Sequence, residues 1–126
     1  MAEQSLDLWP EIAAADIRTP VSILRQQAAL LGKHTNNLLE AKVVTQQWTG
    51  GFLHRFFIAM PIIGYQLELF TVFHDVMLYP VKINPVGDVN PAELESEKDL
   101  IAWLKGTLNS AETKRILTTL MAQAES

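Results

Sequence analysis

The spacing of apolar residues changes once along this chain, near residue 42, and that change restricts the fold more than any other feature. Upstream, Leu24, Ala28, Leu31, Thr35 and Leu38 recur at steps of four and three, the period of a helix buried along one stripe. Downstream the step becomes two. "KVVTQQWT", "FLHRFFIAM", "YQLELFTVF" and "MLYPVKI" are runs rich in β-branched and aromatic residues, as strands require. Gly50–Gly51, Pro61–Gly64 and His74–Val76 divide them, and connections this short close antiparallel hairpins. A long helix followed by a four-stranded meander is therefore expected.

Local signals set the helix ends. Thr19 can cap the first helix with Pro20 at its first position, which predicts a helix over about 20–41 despite Gly32 in its interior. After Ile83, "NPVGDVNPAELE" reads as an acidic, turn-rich loop. Ser96, with Asp99 three positions on, can cap a helix carrying Leu100, Ile101 and Leu104. Asn109 and Glu112 have capping-box spacing before Ile116, Leu117, Leu120 and Met121. The expected fold is α+β, ordered α-β-β-β-β-α-α, as one domain over 1–126. Apolar residues at 48% and charged residues at 19% suit a folded chain of this length and exclude disorder.

Loop length decides which side chains share a sheet face. A two-residue Gly50–Gly51 turn sets Thr49 opposite Phe52, the next loop sets Met60 opposite Tyr65, and the third sets Phe73 opposite Met77. One face is then a core crossed by a polar row, Gln47, His54, Thr71 and Tyr79. The other carries Trp48, Leu53, Val72 and Leu78, continued by Phe57 and Phe70, with Arg55 among them and Glu68 opposite Lys82. In this register His74–Asp75 is a loop tip, where an Asp carboxylate can bond nearby amides, and Pro80 sits in an edge strand.

Several chemistries are excluded at this level. The chain has no cysteine, so disulfides, thiolate metal sites and a Cys nucleophile cannot occur. No HExxH, phosphate loop, dinucleotide-binding glycine pattern or nucleophile elbow is present, and no cofactor or metal is expected. The net charge is −4, and the cations Arg25, Lys33, Lys42 and Arg55 are dispersed, unlike the clustered basic face that nucleic acid needs. No apolar run approaches the roughly 20 residues that cross a bilayer, and Met1–Glu11 lacks the basic residues of a secretory signal. A cytoplasmic protein is expected.

Two surfaces remain as candidate sites. The apolar band of Trp48, Leu53, Arg55, Phe57, Phe70, Val72 and Leu78 exceeds what soluble monomers usually expose, so either the C-terminal helices or another chain should cover it. The row Gln47, His54, Thr71 and Tyr79 could floor a small-ligand pocket beneath the long helix, or form an internally satisfied network.

The segments "TPVSILRQQAALLGKHT", "LFTVFHDVMLYPVKI" and "ETKRILTTLMAQ" resemble a group of small bacterial proteins of unknown function. The resemblance implies a bacterial, intracellular, single-domain protein and assigns no catalytic or binding residue. The reading taken forward is a non-enzymatic interaction protein, an adaptor, regulator or neutralising partner, binding another protein or itself as a homodimer through the apolar sheet face. The alternative is a small-molecule binding domain with its pocket between the long helix and the sheet.

Overall fold

The computed structural model describes residues 6–85 and 91–126. Its fold is α+β, with three helices and a five-stranded antiparallel sheet. α1 (Pro20–His34) leads into β1 (Glu40–Trp48), β2 (Gly51–Met60), β3 (Tyr65–His74), β4 (Val81–Pro85) and β5 (Ala92–Leu94). Two helices close the chain, α2 (Glu97–Leu108) and α3 (Ala111–Ala124). The strands lie side by side in sequence order, so the sheet is a pure meander.

α1 starts where expected, with the Thr19 hydroxyl accepting a hydrogen bond from the Ser22 amide and Pro20 in the first turn. It stops seven residues earlier than the periodicity suggests, because Asn36 and Asn37 take left-handed conformations, φ 52° and 62°, that end a helix. Thr35 is buried there, its single hydroxyl proton within reach of the Leu31 and Leu39 carbonyls at 3.1 and 3.2 Å, and its oxygen accepting from the Leu39 amide. That one side chain ties the end of α1 to the start of β1. Ser96 caps α2 by accepting from the Asp99 amide, as its spacing predicts. Ser110, rather than Asn109, caps α3, and Asn109 instead closes α2.

Two features displace the expected register. The first turn uses Thr49 and Gly50, at φ 46° and 77°, so Gln47 rather than Thr49 faces Phe52. Gly51 belongs to β2, and a Cβ there would collide with the His74 carbonyl and come within 2.9 Å of the Phe73 ring. The second feature is a β-bulge. Met60 faces Tyr65 as expected and Phe57 faces Glu68, but Phe56 then faces Phe70, leaving Leu69 as an extra residue in β3. Beyond the bulge every β3 side chain is on the face opposite to that expected. β4 also begins later, pairing Val72 with Ile83 and Phe73 with Lys82, and β5 adds a short fifth strand inside the expected loop. The middle of that loop, residues 86–90, lies outside the described residues, as do residues 1–5 of the expected non-signal N-terminus.

The three helices share one core on one face of the sheet. Ile23 and Leu24 from α1, Leu100 and Leu104 from α2 and Ala124 from α3 join Phe56, Ile58, Phe70, Val72, Val81 and Ile83 in a single buried cluster. Phe56 and Phe70 stack with centroids 4.9 Å apart, and Trp103 of α2 meets Phe70 edge-on at 5.1 Å. Burial of each such side chain is worth about 1.5–3 kcal/mol relative to exposure. The C-terminal helices therefore lie on the same side as α1, and no described element covers the second sheet face.

Candidate functional site

The uncovered face follows from strand alternation. Its rows run Gln46, Leu53, Phe73, Lys82 and Glu93, then Val44, Arg55, Thr71 and Asn84, then Lys42, Phe57 and Glu68. Trp48 stands at the corner with 52% of its surface exposed, and Val44 is 47% exposed. Trp48, Leu53, Phe73 and Pro91 line a shallow groove of about 280 Å³ bounded by Lys82 and Asn84. Arg55 Nη1 reaches Glu68 Oε2 at 3.4 Å in the middle of the face, while its buried Nε makes no hydrogen bond with any described residue. A partly exposed pair at that distance adds little stability. It does place a charged, incompletely satisfied group among apolar neighbours.

The seven residues expected on this face divide. Trp48, Leu53, Arg55 and Phe57 are on it. Phe70 and Val72 are not: the bulge turns both inward, and each is fully buried in the core. Leu78 lies in the 75–80 loop and lines a cleft with Val21 and Phe52 on the helical side. Phe73 and Val44 belong to the face and escape the sequence reading. Phe73 is brought there by the bulge, and Val44 lies there opposite Arg55.

The expected polar row does not assemble. Gln47 is exposed opposite Phe52, Thr71 is on the uncovered face, and Tyr79 sits in the loop, its hydroxyl donating to the Arg18 carbonyl at 3.3 Å. Pro80, joined to Tyr79 by a cis peptide bond, precedes β4 instead of lying within it. Burial, with the charge of Glu97 behind it, pushes the Tyr79 phenol up, and Arg18 partly opposes this. Tyr79 thus tethers the residues before α1.

His54 instead finds a partner that the sequence reading assigned to a loop. β3 extends through His74, which the bulge turns inward, and the two imidazoles meet with Nε2 atoms 2.7 Å apart. Thr45 Oγ1 lies 2.8 Å from His54 Nδ1, and His74 Nδ1 lies 2.7 Å from the Asp75 carbonyl. A carbonyl only accepts, so His74 carries its proton on Nδ1 and presents a lone pair at Nε2. His54 then donates from Nε2 and accepts the Thr45 hydroxyl at Nδ1. The chain Thr45, His54, His74, Asp75 carbonyl is complete with a single proton between the two Nε2 atoms. Burial, the neighbouring His74 and the Arg25 guanidinium hold the His54 pKa down to about 4. Asp75 forms its expected turn, Oδ1 accepting from the Met77 amide at 2.8 Å.

Beside this pair is an open cleft of about 240 Å³, walled by Val21, Phe52 and Leu78 with Arg25 at its side. The imidazole nitrogens spend their hydrogen bonds inside the protein, which fits an internally satisfied network better than a ligand floor. Two histidines alone do not close a metal site, and among the described residues no group of three or more His, Asp or Glu could hold one.

A second cleft lies between α1 and the α2–α3 turn. It holds about 270 Å³ over Phe56 and Ile58, with Leu30 and Leu31 on one side and Leu108 and Leu117 on the other. A cavity of about 250 Å³ adjoins it, sharing Gln27, Leu108 and Asn109. No helix among the described residues is long and apolar enough to cross a membrane. Comparison of the chain with family models, curated proteins and solved structures finds no match.

Proposed function

We propose that this chain is a small, non-enzymatic, cytoplasmic interaction protein that receives a protein partner on the uncovered face of its sheet. One observation carries the reading: all three helices pack on the other side, leaving Trp48, Leu53, Phe57 and Phe73 around the Arg55–Glu68 pair on a face no described element covers. Aromatic residues and Arg are enriched at recognition surfaces, and Trp is among the residue types most often found as anchors. Removal of such an anchor costs about 2 kcal/mol or more of association. The test is whether Trp48→Ala and Leu53→Lys abolish co-purification of the native partner while leaving the thermal midpoint nearly unchanged. Retained association with both variants counts against the face.

The two adjoining cavities support a second reading, a domain that shelters a small apolar ligand above Phe56 and Ile58. The mainly apolar wall of the first cleft suits such a ligand. Leu31→Trp, filling the cleft from α1, should block uptake of an apolar fluorescent probe. Unchanged uptake removes this reading.

A further inference from the structure

The edges of the sheet are treated very differently by the sequence. β5 at one end is three residues long, follows Pro91 and carries Glu93 with Glu95 just beyond it, all devices that discourage pairing. β1 at the other end is nine residues long and pairs regularly with β2, without bulge or proline. Its helix-side residues, Ala41, Val43, Thr45 and Gln47, include no charge, and its only ions, Glu40 and Lys42, sit together at one end. An edge of this length offers a row of unpaired amides and carbonyls over about 30 Å.

We infer that β1 pairs with β1 of a second copy of this chain, antiparallel about a two-fold axis at Val44. This rests on the reading of the protein as an interaction module and names one partner. The register is selected by the strand itself. Centred on Val44, all nine residues are paired: Val44 meets Val44 of the second copy, Lys42 meets its Gln46, and Glu40 meets its Trp48. No like charges are opposed. Centring on Lys42 would set two ammonium groups face to face and shorten the overlap. A two-fold antiparallel pairing keeps every side chain facing a residue of the same sheet face, as self-complementary association requires. It also joins two uncovered faces into one, with the half-exposed Val44 and Trp48 of both copies at the junction.

The segment before α1 supports a second copy over an unrelated strand. Leu6, Leu8, Trp9 and Ile12 are each at least 74% exposed in a stretch without regular structure. That stretch leaves the fold at Thr19, which lines the same cleft as Thr45 of β1. Each copy therefore delivers its apolar arm beside the junction, within reach of the other.

A charge exchange at Val44 tests the register in the full-length protein. Wild type should sediment at twice 14.1 kDa and dissociate on dilution. V44K and V44E should each raise the dissociation constant by roughly tenfold or more, since like charges meet across the axis, and an equimolar mixture should recover the dimer. Circular dichroism establishes that both variants fold. A wild type monomeric at every concentration overturns the inference, as does a dimer unaffected by V44K and V44E. Failure of the uncovered-face reading looks different: the Val44 variants behave as stated, while Leu53→Lys leaves every association intact.

Discussion

His54 and His74 share one proton between their Nε2 atoms at 2.7 Å, so that one ring donates and the other accepts. The His54 pKa is lowered from 6.5 to about 4, so between those values the unfolded chain binds a proton that the folded chain refuses. Stability is therefore full above pH 6.5 and is lost as pH falls towards 4, by an amount on the order of 3 kcal/mol. His54→Gln should remove this component. Urea denaturation across that range checks it, and equal slopes for wild type and variant would refute the assignment.

Phe70 and Trp48 make opposite predictions that separate the two sheet faces. Phe70 is buried between Phe56 and Trp103, so Phe70→Ala should cost about 3–5 kcal/mol. Trp48 is half-exposed, and Trp48→Ala should cost about 1 kcal/mol or less. Chemical denaturation reads both, and the reverse ranking would mean that the bulge is misplaced.

The first hairpin carries a removable strain. Thr49 holds φ 46°, which a β-branched residue adopts at a cost of about 1–2 kcal/mol, and its neighbour Gly50 already suits a turn of this hand. Thr49→Asn creates the Asn-Gly pair preferred there and should raise stability by about 1 kcal/mol. Gly51→Ala should do the opposite, since its Cβ meets the fixed His74 backbone, at a cost of about 1–3 kcal/mol. Thermal midpoints of the two variants should move in opposite directions.

Features encoded within a few residues were legible before the structure. Thr19–Pro20 and Ser96 announce helix starts by their capping chemistry, and the alternating runs announce the meander. The exact turn is not legible, because Gly50 and Gly51 look alike in sequence although one is required for its backbone angle and the other for lack of space. β5 is held by backbone pairing over three residues, too few to show a period. The candidate face is half legible: Trp48, Leu53, Arg55 and Phe57 lie in β1 and β2, ahead of the bulge in the chain, and keep their side, whereas Phe70, Thr71 and Val72 follow it in β3 and do not. Only the adjacent apolar residues Leu69 and Phe70 hint at a change of phase. The same bulge hides the His54–His74 contact from the strand periodicity.

Leu69 gives the sheet slack. It is the one residue of β3 without a counterpart in β2, so the pairs on either side of it already match as an uninterrupted ladder would. A chain lacking Leu69 should keep Phe57 against Glu68 and Phe56 against Phe70, and still fold. A chain with one residue added between Tyr65 and Glu68 has no such allowance, because its excess must invert a face or open a second bulge. In lineages descending from this sequence, β3 can shorten by one residue at Leu69 far more readily than it can lengthen.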